Sequence, residues 1–190
     1  MSSSRNIKDA KIAISGKSGC GNTTVSRVVA DSLELRFINF TFRNLAQERA
    51  LSLKEVLKLA AEDDSWDREV DTRQAAMARE QGGCVLGSRL AIWMLPEADL
   101  KVFLTARPEI RAMRIHGREG SSLKDIALFT ESRDRQDHER YLRIYNINND
   151  DYGFADLVID TDDISPGEIA ETIINEMKSK LAGRVVEKRD

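Results

Sequence analysis

The fold is decided by one stretch of sequence, Lys11–Thr24, which reads KIAISGKSGCGNTT. A short apolar run typical of a buried β-strand leads into a glycine-rich loop, and a helical pattern begins near Thr23. The P-loop pattern G-x-x-x-x-G-K-[ST] places its glycines at Gly16 and Gly21 and its hydroxyl at Thr23. Inward-facing N–H groups and a helix N-terminus bind phosphate. The stretch therefore predicts a phosphate-binding loop made of Gly16, Lys17, Ser18, Gly19, Cys20, Gly21, Asn22, Thr23 and Thr24.

The loop departs from its pattern at one position, because Asn22 stands where the pattern has lysine. Backbone N–H groups survive this change, but a positive charge over the transferring phosphate is lost. Lys17 is the candidate replacement, and the alternative is that Lys17 is a solvated loop side chain. The Thr23 hydroxyl is predicted to hold Mg²⁺, with plain helix capping as the alternative.

On both sides of this stretch, strands alternate with longer helical patterns. Near-continuous apolar strands separated by helices indicate a parallel sheet covered on both faces. The prediction is a three-layer α/β fold of the P-loop NTPase type with a five-stranded parallel sheet. The predicted strands are Lys11 to Ser15, Arg36 to Asn39, Cys84 to Leu86, Leu100 to Thr105 and Leu157 to Asp160.

Two helical insertions interrupt this alternation. Residues 41–82 contain three helical patterns with breaks near Leu51 and Asp63, and a polar helical stretch runs from Ser122 to Tyr145. We expect an inserted cap at about 41–82 and a lid at about 118–150. The rest, about 10–40, 83–120 and 155–182, forms the core of a single P-loop domain spanning 1–190.

Charge and cysteine content limit the partners and the compartment. The 190 residues carry 29 Lys+Arg and 32 Asp+Glu, a net charge of −3, so no global positive field is available to hold a nucleic-acid polymer. Two cysteines, Cys20 and Cys84, are typical of free thiols in a reducing compartment. There is no signal-peptide pattern and no apolar run of about 18 residues. We expect a cytoplasmic, monomeric protein without a membrane partner.

Arginines are placed where a second anion would be bound. Arg133, Asp137 and Arg140 lie at i, i+4 and i+7, so they share one helical face. Arg43 and Arg89 follow the second and third strands, at the sheet edge where doubly wound folds bind ligands. Guanidinium groups match phosphate oxygens bidentately. The alternative for each arginine is an ordinary surface ion pair.

On the predicted cap, Asp67, Asp71 and Gln74 share a helical face. Carboxylates and amides can bind the exocyclic amine and ring nitrogens of a base. A solvated polar face is the alternative interpretation.

Together these residues resemble the nucleoside monophosphate kinases, and within them the short, archaeal-type cytidylate kinases. The resemblance runs from Lys11 to about Lys180. It depends on Arg133-Asp134-x-x-Asp137-x-x-Arg140 followed by Tyr141 and Tyr145, on the run from Ala98 to Leu104, and on Asp67-Arg68-x-x-Asp71-x-Arg73-Gln74.

The resemblance implies transfer of the γ-phosphate of ATP to CMP or dCMP, with Mg²⁺. Carried over by position, Arg43 and Arg89 grip the acceptor phosphate. Arg133, Asp137 and Arg140 close on the sugar and phosphates, and Lys17, Arg89, Arg133 and Arg140 act catalytically by stabilising developing charge. The donor is expected to contact Arg111, Arg114 and Arg118.

Two departures from the family pattern keep other functions open. Gly87 and Ser88 stand where an acidic residue and glycine are usual, and Asn39-Phe40-Thr41 replaces the usual Ser/Thr-Gly. The alternatives are a non-catalytic nucleotide-binding regulatory module and a P-loop kinase for another small acceptor, such as shikimate or dephospho-CoA.

Overall fold

The computed structural model describes residues 6–119 and 122–186. Five parallel strands form one sheet, as the sequence predicts, and the structure shows their order to be β2-β3-β1-β4-β5. Each strand lies within one residue of its predicted bounds. The strands are β1 Lys11–Gly16, β2 Arg36–Ile38, β3 Cys84–Gly87, β4 Leu100–Thr105 and β5 Leu157–Asp160.

Helices connect the strands, and three of them occupy the stretch predicted to hold three. Ser52–Glu55 and Ser165–Glu168 have the Ser-x-x-Glu pattern of a capping box, which marks the start of a helix, and both boxes form. A single 3₁₀ turn precedes β1 at Ile7–Asp9. The helices are α1 Asn22–Leu33, α2 Phe42–Glu48, α3 Leu53–Glu62, α4 Ser65–Arg79, α5 Ala91–Met94, α6 Pro108–Glu119, α7 Leu123–Tyr145 and α8 Pro166–Val186.

The core lies on both faces of the sheet because successive side chains of a strand point to opposite faces. On one face, Ile12 and Ile14 pack with Val29 of α1 and Ile173 of α8. On the other face, a cluster that includes Ala13, Leu86, Phe103 and Ile92 joins the sheet to α5 and α4. These layers confirm the predicted three-layer α/β fold.

The central position of β1 fixes where a site can form. β1 pairs with β3 on one side and β4 on the other, with Ile14 opposite Gly87 and Gly16 opposite Leu104. The loops that follow β1 and β3 therefore leave the sheet side by side, at the carboxyl edge where such sheets bind ligands. Within the two described ranges, no helix is both long enough and apolar enough to cross a membrane.

Candidate active site

A cleft of about 810 Å³ lies at this carboxyl edge, between the sheet, the α2–α4 segment and α7. The loops after β1, β2, β3 and β5 all contribute to its wall. The predicted site residues found there are Gly16, Lys17, Ser18, Gly19, Cys20, Gly21, Asn22, Thr23, Thr24, Arg43, Asp67, Asp71, Gln74, Arg89, Arg114, Arg133 and Arg140. Elements far apart in the sequence thus bring the phosphate loop and the predicted arginine cluster together in one cleft.

The glycines of the phosphate loop are each required by the backbone or by a close neighbour. Gly19 and Gly21 have φ of +88° and +89°, in the left-handed region that favours glycine. A Cβ on Gly16 would lie 2.8 Å from the Leu104 carbonyl oxygen, and one on Gly19 would lie 2.9 Å from the Arg111 backbone. The loop is therefore packed against β4 and α6 and ends at the N-terminus of α1.

Asn22, which replaces the lysine of the pattern, ties α1 to the segment after β3. Its Nδ2 donates to the Ser88 carbonyl at 2.9 Å, and its Oδ1 accepts from the Ser26 hydroxyl at 3.1 Å. The side chain has a structural use here and brings no charge. A cation over the transferring phosphate must come from another residue.

Lys17 lies on the cleft wall and is held by an acid rather than left free. Its Nζ is 2.6 Å from Asp150 Oδ1, and the other oxygen of Asp150 is 3.4 Å from His138 Nδ1. Sequence reasoning did not anticipate Asp150, which follows α7 in a polar loop. A surface aspartate gives no local signal of a partner so distant in the chain.

Asp137 joins two arginines of the cleft. Its carboxylate is 2.6 Å from Arg140 Nη2 and 3.3 Å from Arg89 Nη1, and only 5% of the residue is exposed. Arg140 also lies 3.3 Å from Asp67. Asp137 was predicted to contact substrate, but it does not line this cleft. It instead sets the positions of Arg89 and Arg140.

The cleft holds more positive charge than its acids neutralise. Within the described ranges, no carboxylate forms an ion pair with Arg43 or Arg133. Two causes lower the pKa of Arg133: partial burial is the larger, and the positive charge of the neighbouring Arg89 is the second. Part of the Arg133 side chain is nevertheless exposed to solvent. Burial also opposes the charge of Arg89, but Tyr141 and Asp137 outweigh it and raise its pKa. A bound anion would relieve the repulsion between Arg89 and Arg133.

At the other end of the cleft, α4 and α7 form a polar joint. Tyr145 Oη donates to Asp71 Oδ2 at 2.7 Å, and Gln74 Nε2 lies 3.4 Å from Asp71 Oδ1. Burial raises the pKa of the Asp71 carboxyl to about 6, partly offset by the Tyr145 hydrogen bond. Gln74 Oε1 and Asp67 Oδ2 are buried without a hydrogen-bond partner. These acceptors are available to a ligand that carries N–H donors.

Arg111 and Arg114 differ in what they can contact. The Arg111 guanidinium donates to both oxygens of Asp134, at 2.7 and 2.8 Å, and Arg111 does not line the cleft. The expectation that it contacts the donor is therefore wrong for this conformation. Arg114 does line the cleft, where it donates to the Thr161 hydroxyl at 2.9 Å. The side chain of Arg118 lies outside the described residues.

Comparison with known proteins identifies the family. Residues 11–163 match the cytidylate kinase-like family. The chain belongs to that family. It is 46% identical over 174 residues to cytidylate kinase 2 of Borreliella afzelii (strain PKo), covering 90% of this chain and 97% of that protein. It is 40% identical over 157 residues to the cytidylate kinase of Pyrococcus horikoshii, covering 82% of this chain and 81% of that protein. The predicted family and the predicted class of enzyme, a phosphotransferase, are confirmed.

Solved structures of other P-loop kinases share the fold of this cytidylate kinase-like chain. Shikimate kinase from Acinetobacter baumannii in complex with shikimate superposes with a TM-score of 0.63 at 17% identity, covering 90% of this chain and 93% of that one. A gluconokinase from Sinorhizobium meliloti 1021 gives a TM-score of 0.51 at 18% identity, covering 97% of each chain. At this level of identity the likeness concerns the fold alone.

The departure of this cytidylate kinase-like chain at Gly87 has a packing cause. A Cβ there would lie 2.5 Å from Ser26 Oγ and 2.7 Å from Ser26 Cβ, so no carboxylate side chain fits at this position. Among the residues with described coordinates, no group of three or more His, Cys, Asp or Glu could hold a metal. The Thr23 hydroxyl lies on the cleft wall, 3.5 Å from Asn39 Nδ2. Mg²⁺ usually keeps several waters and binds substrate phosphates, so a hydroxyl oxygen at this place fits as one of its ligands.

Proposed function

We propose that the protein is a cytidylate kinase, which transfers the γ-phosphate of ATP to CMP or dCMP and releases ADP. One observation carries this proposal. Arg43, Arg89, Arg133 and Arg140 come from three separate segments, which are α2, the loop after β3 and α7, and all four line the cleft that also contains the phosphate loop. A site for one nucleotide would need the loop alone. A second set of cations beside it suits a second, smaller phosphate.

The donor half of the site is the phosphate loop. Its backbone N–H groups and the N-terminus of α1 provide preorganised donors for a triphosphate, and Arg114 lines the same side. Thr23 would hold Mg²⁺, which supplies charge neutralisation between the β- and γ-phosphates when it is bound. Lys17 is placed to add a positive charge near the loop once a phosphate competes with Asp150 for it.

The acceptor half consists of the arginines and the α4 face. Arg43 and Arg89 grip the acceptor phosphate, while Arg133 and Arg140 approach from α7. Asp67, Asp71 and Gln74 face the base. A phosphate oxygen of the acceptor attacks the γ-phosphorus as the bond to ADP breaks, so the protein needs no nucleophile. Its contribution is alignment and positive charge around the transferring group.

The experiment is a coupled assay of ADP formation with ATP and a panel of acceptors: CMP, dCMP, UMP, AMP and shikimate. We expect turnover with CMP and dCMP. Arg140→Ala should lower kcat/KM at least about a hundredfold, the cost of one transition-state charge contact. Arg135→Ala is the matched control, because Arg135 is exposed on α7 and, among the described residues, forms an ion pair with Glu131 alone.

Two outcomes would replace the proposal. If ATP binds but no ADP forms with any acceptor, the protein is a regulatory nucleotide-binding module. The absence of a lysine at Asn22 and of a carboxylate at Gly87 is compatible with that function. Turnover with shikimate alone would indicate a kinase for another small acceptor. Unchanged kinetics in Arg140→Ala would remove that residue from the site.

The proposal includes a cytoplasmic location and a monomeric state. ATP and CMP are metabolites of the cytoplasm, and Cys20 and Cys84 are buried free thiols, which suits a reducing compartment. One chain supplies both halves of the described cleft. Gel filtration coupled to light scattering tests the monomer.

A further inference from the structure

Ser18 of the phosphate loop is held by two arginines. Arg111 Nε donates to its carbonyl oxygen at 2.7 Å, and Arg89 Nη2 donates to its hydroxyl at 3.0 Å. Each arginine is paired with an acid on α7, Arg111 with Asp134 and Arg89 with Asp137. The two acids are three residues apart, so they share one helical face. One face of α7 therefore fixes one point of the loop through two arginines.

The Arg111–Asp134 pair is the more buried of the two. Arg111 is 5% exposed, its two terminal nitrogens bond both oxygens of Asp134, and its third nitrogen bonds Ser18. A buried charge pair of this kind is costly unless every group is satisfied, and here the geometry satisfies it. Arg111 does not line the cleft, and its side chain donates to the phosphate loop at the Ser18 carbonyl.

The orientation of the Ser18 carbonyl determines where the next N–H points. In a planar trans peptide the C=O of one residue and the N–H of the next point in opposite directions. The Ser18 carbonyl accepts from Arg111, which does not line the cleft. A carbonyl held on that side would leave the Gly19 N–H facing the cleft. This matters more here than in loops with a lysine, because Asn22 leaves the backbone N–H groups to supply most of the attraction for phosphate.

We propose that Asp134 is a positioning residue for the phosphate donor: it holds Arg111 on the Ser18 carbonyl and so keeps the loop in the conformation that receives a triphosphate. This inference rests on the proposed kinase function. It concerns the ATP half of the site and leaves CMP binding unaffected.

The test is calorimetric titration of the full chain with a non-hydrolysable ATP analogue and, separately, with CMP. Arg111→Lys keeps a cation beside Asp134 but removes the N–H that bonds Ser18. Asp134→Asn removes the charge that orients the guanidinium. For both we expect the Kd of the ATP analogue to rise at least about tenfold, the scale of one lost charge-assisted hydrogen bond, and the Kd of CMP to stay within about threefold. The double variant should be no weaker than the worse single variant, because both changes break the same contact.

The control is Glu131→Gln, which removes an exposed acid of α7 whose one ion pair within residues 6–119 and 122–186 is with Arg135. Asp134→Asn leaves the buried Arg111 guanidinium without its full charge partner and can lower the stability of the fold. If Asp134→Asn does not fold, the ATP-analogue Kd of Arg111→Lys alone decides the test. An ATP-analogue Kd within threefold of wild type in Arg111→Lys would overturn the inference, as would equal weakening of ATP and CMP. A wild-type chain that bound the ATP analogue but phosphorylated no monophosphate would contradict the proposed function and leave this test in force.

Discussion

At the scale of single residues, the loop shows how a lost charge can be relocated. Asn22 forms hydrogen bonds to the Ser88 carbonyl and the Ser26 hydroxyl, while Lys17 reaches Asp150 across the loop. The ion pair of Lys17 is partly open to solvent, so it is worth little stability. A phosphate with two negative charges can therefore take Lys17 from Asp150 at small cost.

The first residue-scale prediction concerns this lysine. Lys17→Ala should lower kcat for CMP at least about tenfold, because it removes a charge contact to phosphate that becomes stronger in the transition state. The melting temperature should stay nearly unchanged, because the Lys17–Asp150 ion pair adds little stability. Steady-state kinetics and thermal unfolding measure the two quantities. Lys178→Ala, an exposed lysine of α8, is the control. A fall in kcat of less than threefold would make Lys17 a bystander.

The second residue-scale prediction concerns Gln74, which is 4% exposed and has an unpartnered Oε1. The terminal torsion of glutamine is soft, so a small turn can offer this oxygen to a ligand in the cleft that Gln74 lines. Cytosine has an exocyclic amine that can donate to it, whereas uracil places a carbonyl at that position. Gln74→Met should therefore lower kcat/KM for CMP by about tenfold or more and change that for UMP little.

A modified substrate isolates the contact. Pyrimidin-2-one riboside monophosphate lacks the exocyclic amine of CMP. If the exocyclic amine of CMP donates to Gln74, the Gln74→Met variant assayed with this analogue should lose about as much kcat/KM as either change alone. Gln136→Met on the exposed face of α7 is the matched control. Equal losses for CMP and UMP would show that Gln74 is needed only for packing.

At the scale of elements, the strands and helices could be predicted because their signals are local. Continuous apolar runs located β4 and β5 to the residue, and capping boxes located α3 and α8. The pairings within the site could not be predicted in the same way. Asp134 with Arg111, Asp150 with Lys17 and Tyr145 with Asp71 join residues of different elements. Many surface acids could pair equally well until the fold sets the distances.

The α4–α7 joint carries a prediction for the pH dependence of stability. Burial raises the pKa of Asp71 to about 6, above the ordinary value of about 3.9. Between about pH 3.9 and about pH 6, Asp71 is protonated in the folded state and ionised in the unfolded state. The stability that the protonated Asp71 contributes is therefore present at low pH and is lost as pH rises through about 6. Asp71→Asn keeps an acceptor for Tyr145 but cannot ionise. Its melting temperature relative to wild type should rise by about 2 °C or more from pH 5 to pH 7.5.

Thermal unfolding followed by circular dichroism at several pH values measures this difference. Asp31→Asn, on the exposed face of α1, is the control and should track wild type. A constant offset between Asp71→Asn and wild type across this range would contradict the raised pKa.

At the scale of the whole molecule, α7 connects the two halves of the cleft. Near its middle Asp134 and Asp137 act on the phosphate loop through Arg111 and Arg89, and toward its end Arg140 and Tyr145 contact the α4 face. A rigid helix with contacts at both sites can transmit the effect of one substrate to the other. Asp137 is the direct link, since its carboxylate touches both Arg89 and Arg140.

This link predicts that the two substrates bind with synergy. When CMP binds to Arg140 and Arg89, it should hold both arginines in place on Asp137. Because Arg89 also donates to the Ser18 hydroxyl, this should in turn stabilise the loop that holds ATP. We expect CMP to tighten binding of a non-hydrolysable ATP analogue at least about fivefold, within the usual range of coupling between sites. In Asp137→Asn, Arg89 loses the charge of Asp137, and Arg140 keeps only Asp67 as a charged partner among the described residues. The charged bridge between the two arginines is then lost, so the coupling should fall below about twofold even where each Kd has also changed. Titrations of the analogue with and without saturating CMP measure it, and Glu139→Gln, exposed on α7, is the control. Full synergy in Asp137→Asn would mean that the sites communicate by cap closure alone, because the bridge would then be broken while its effect persisted.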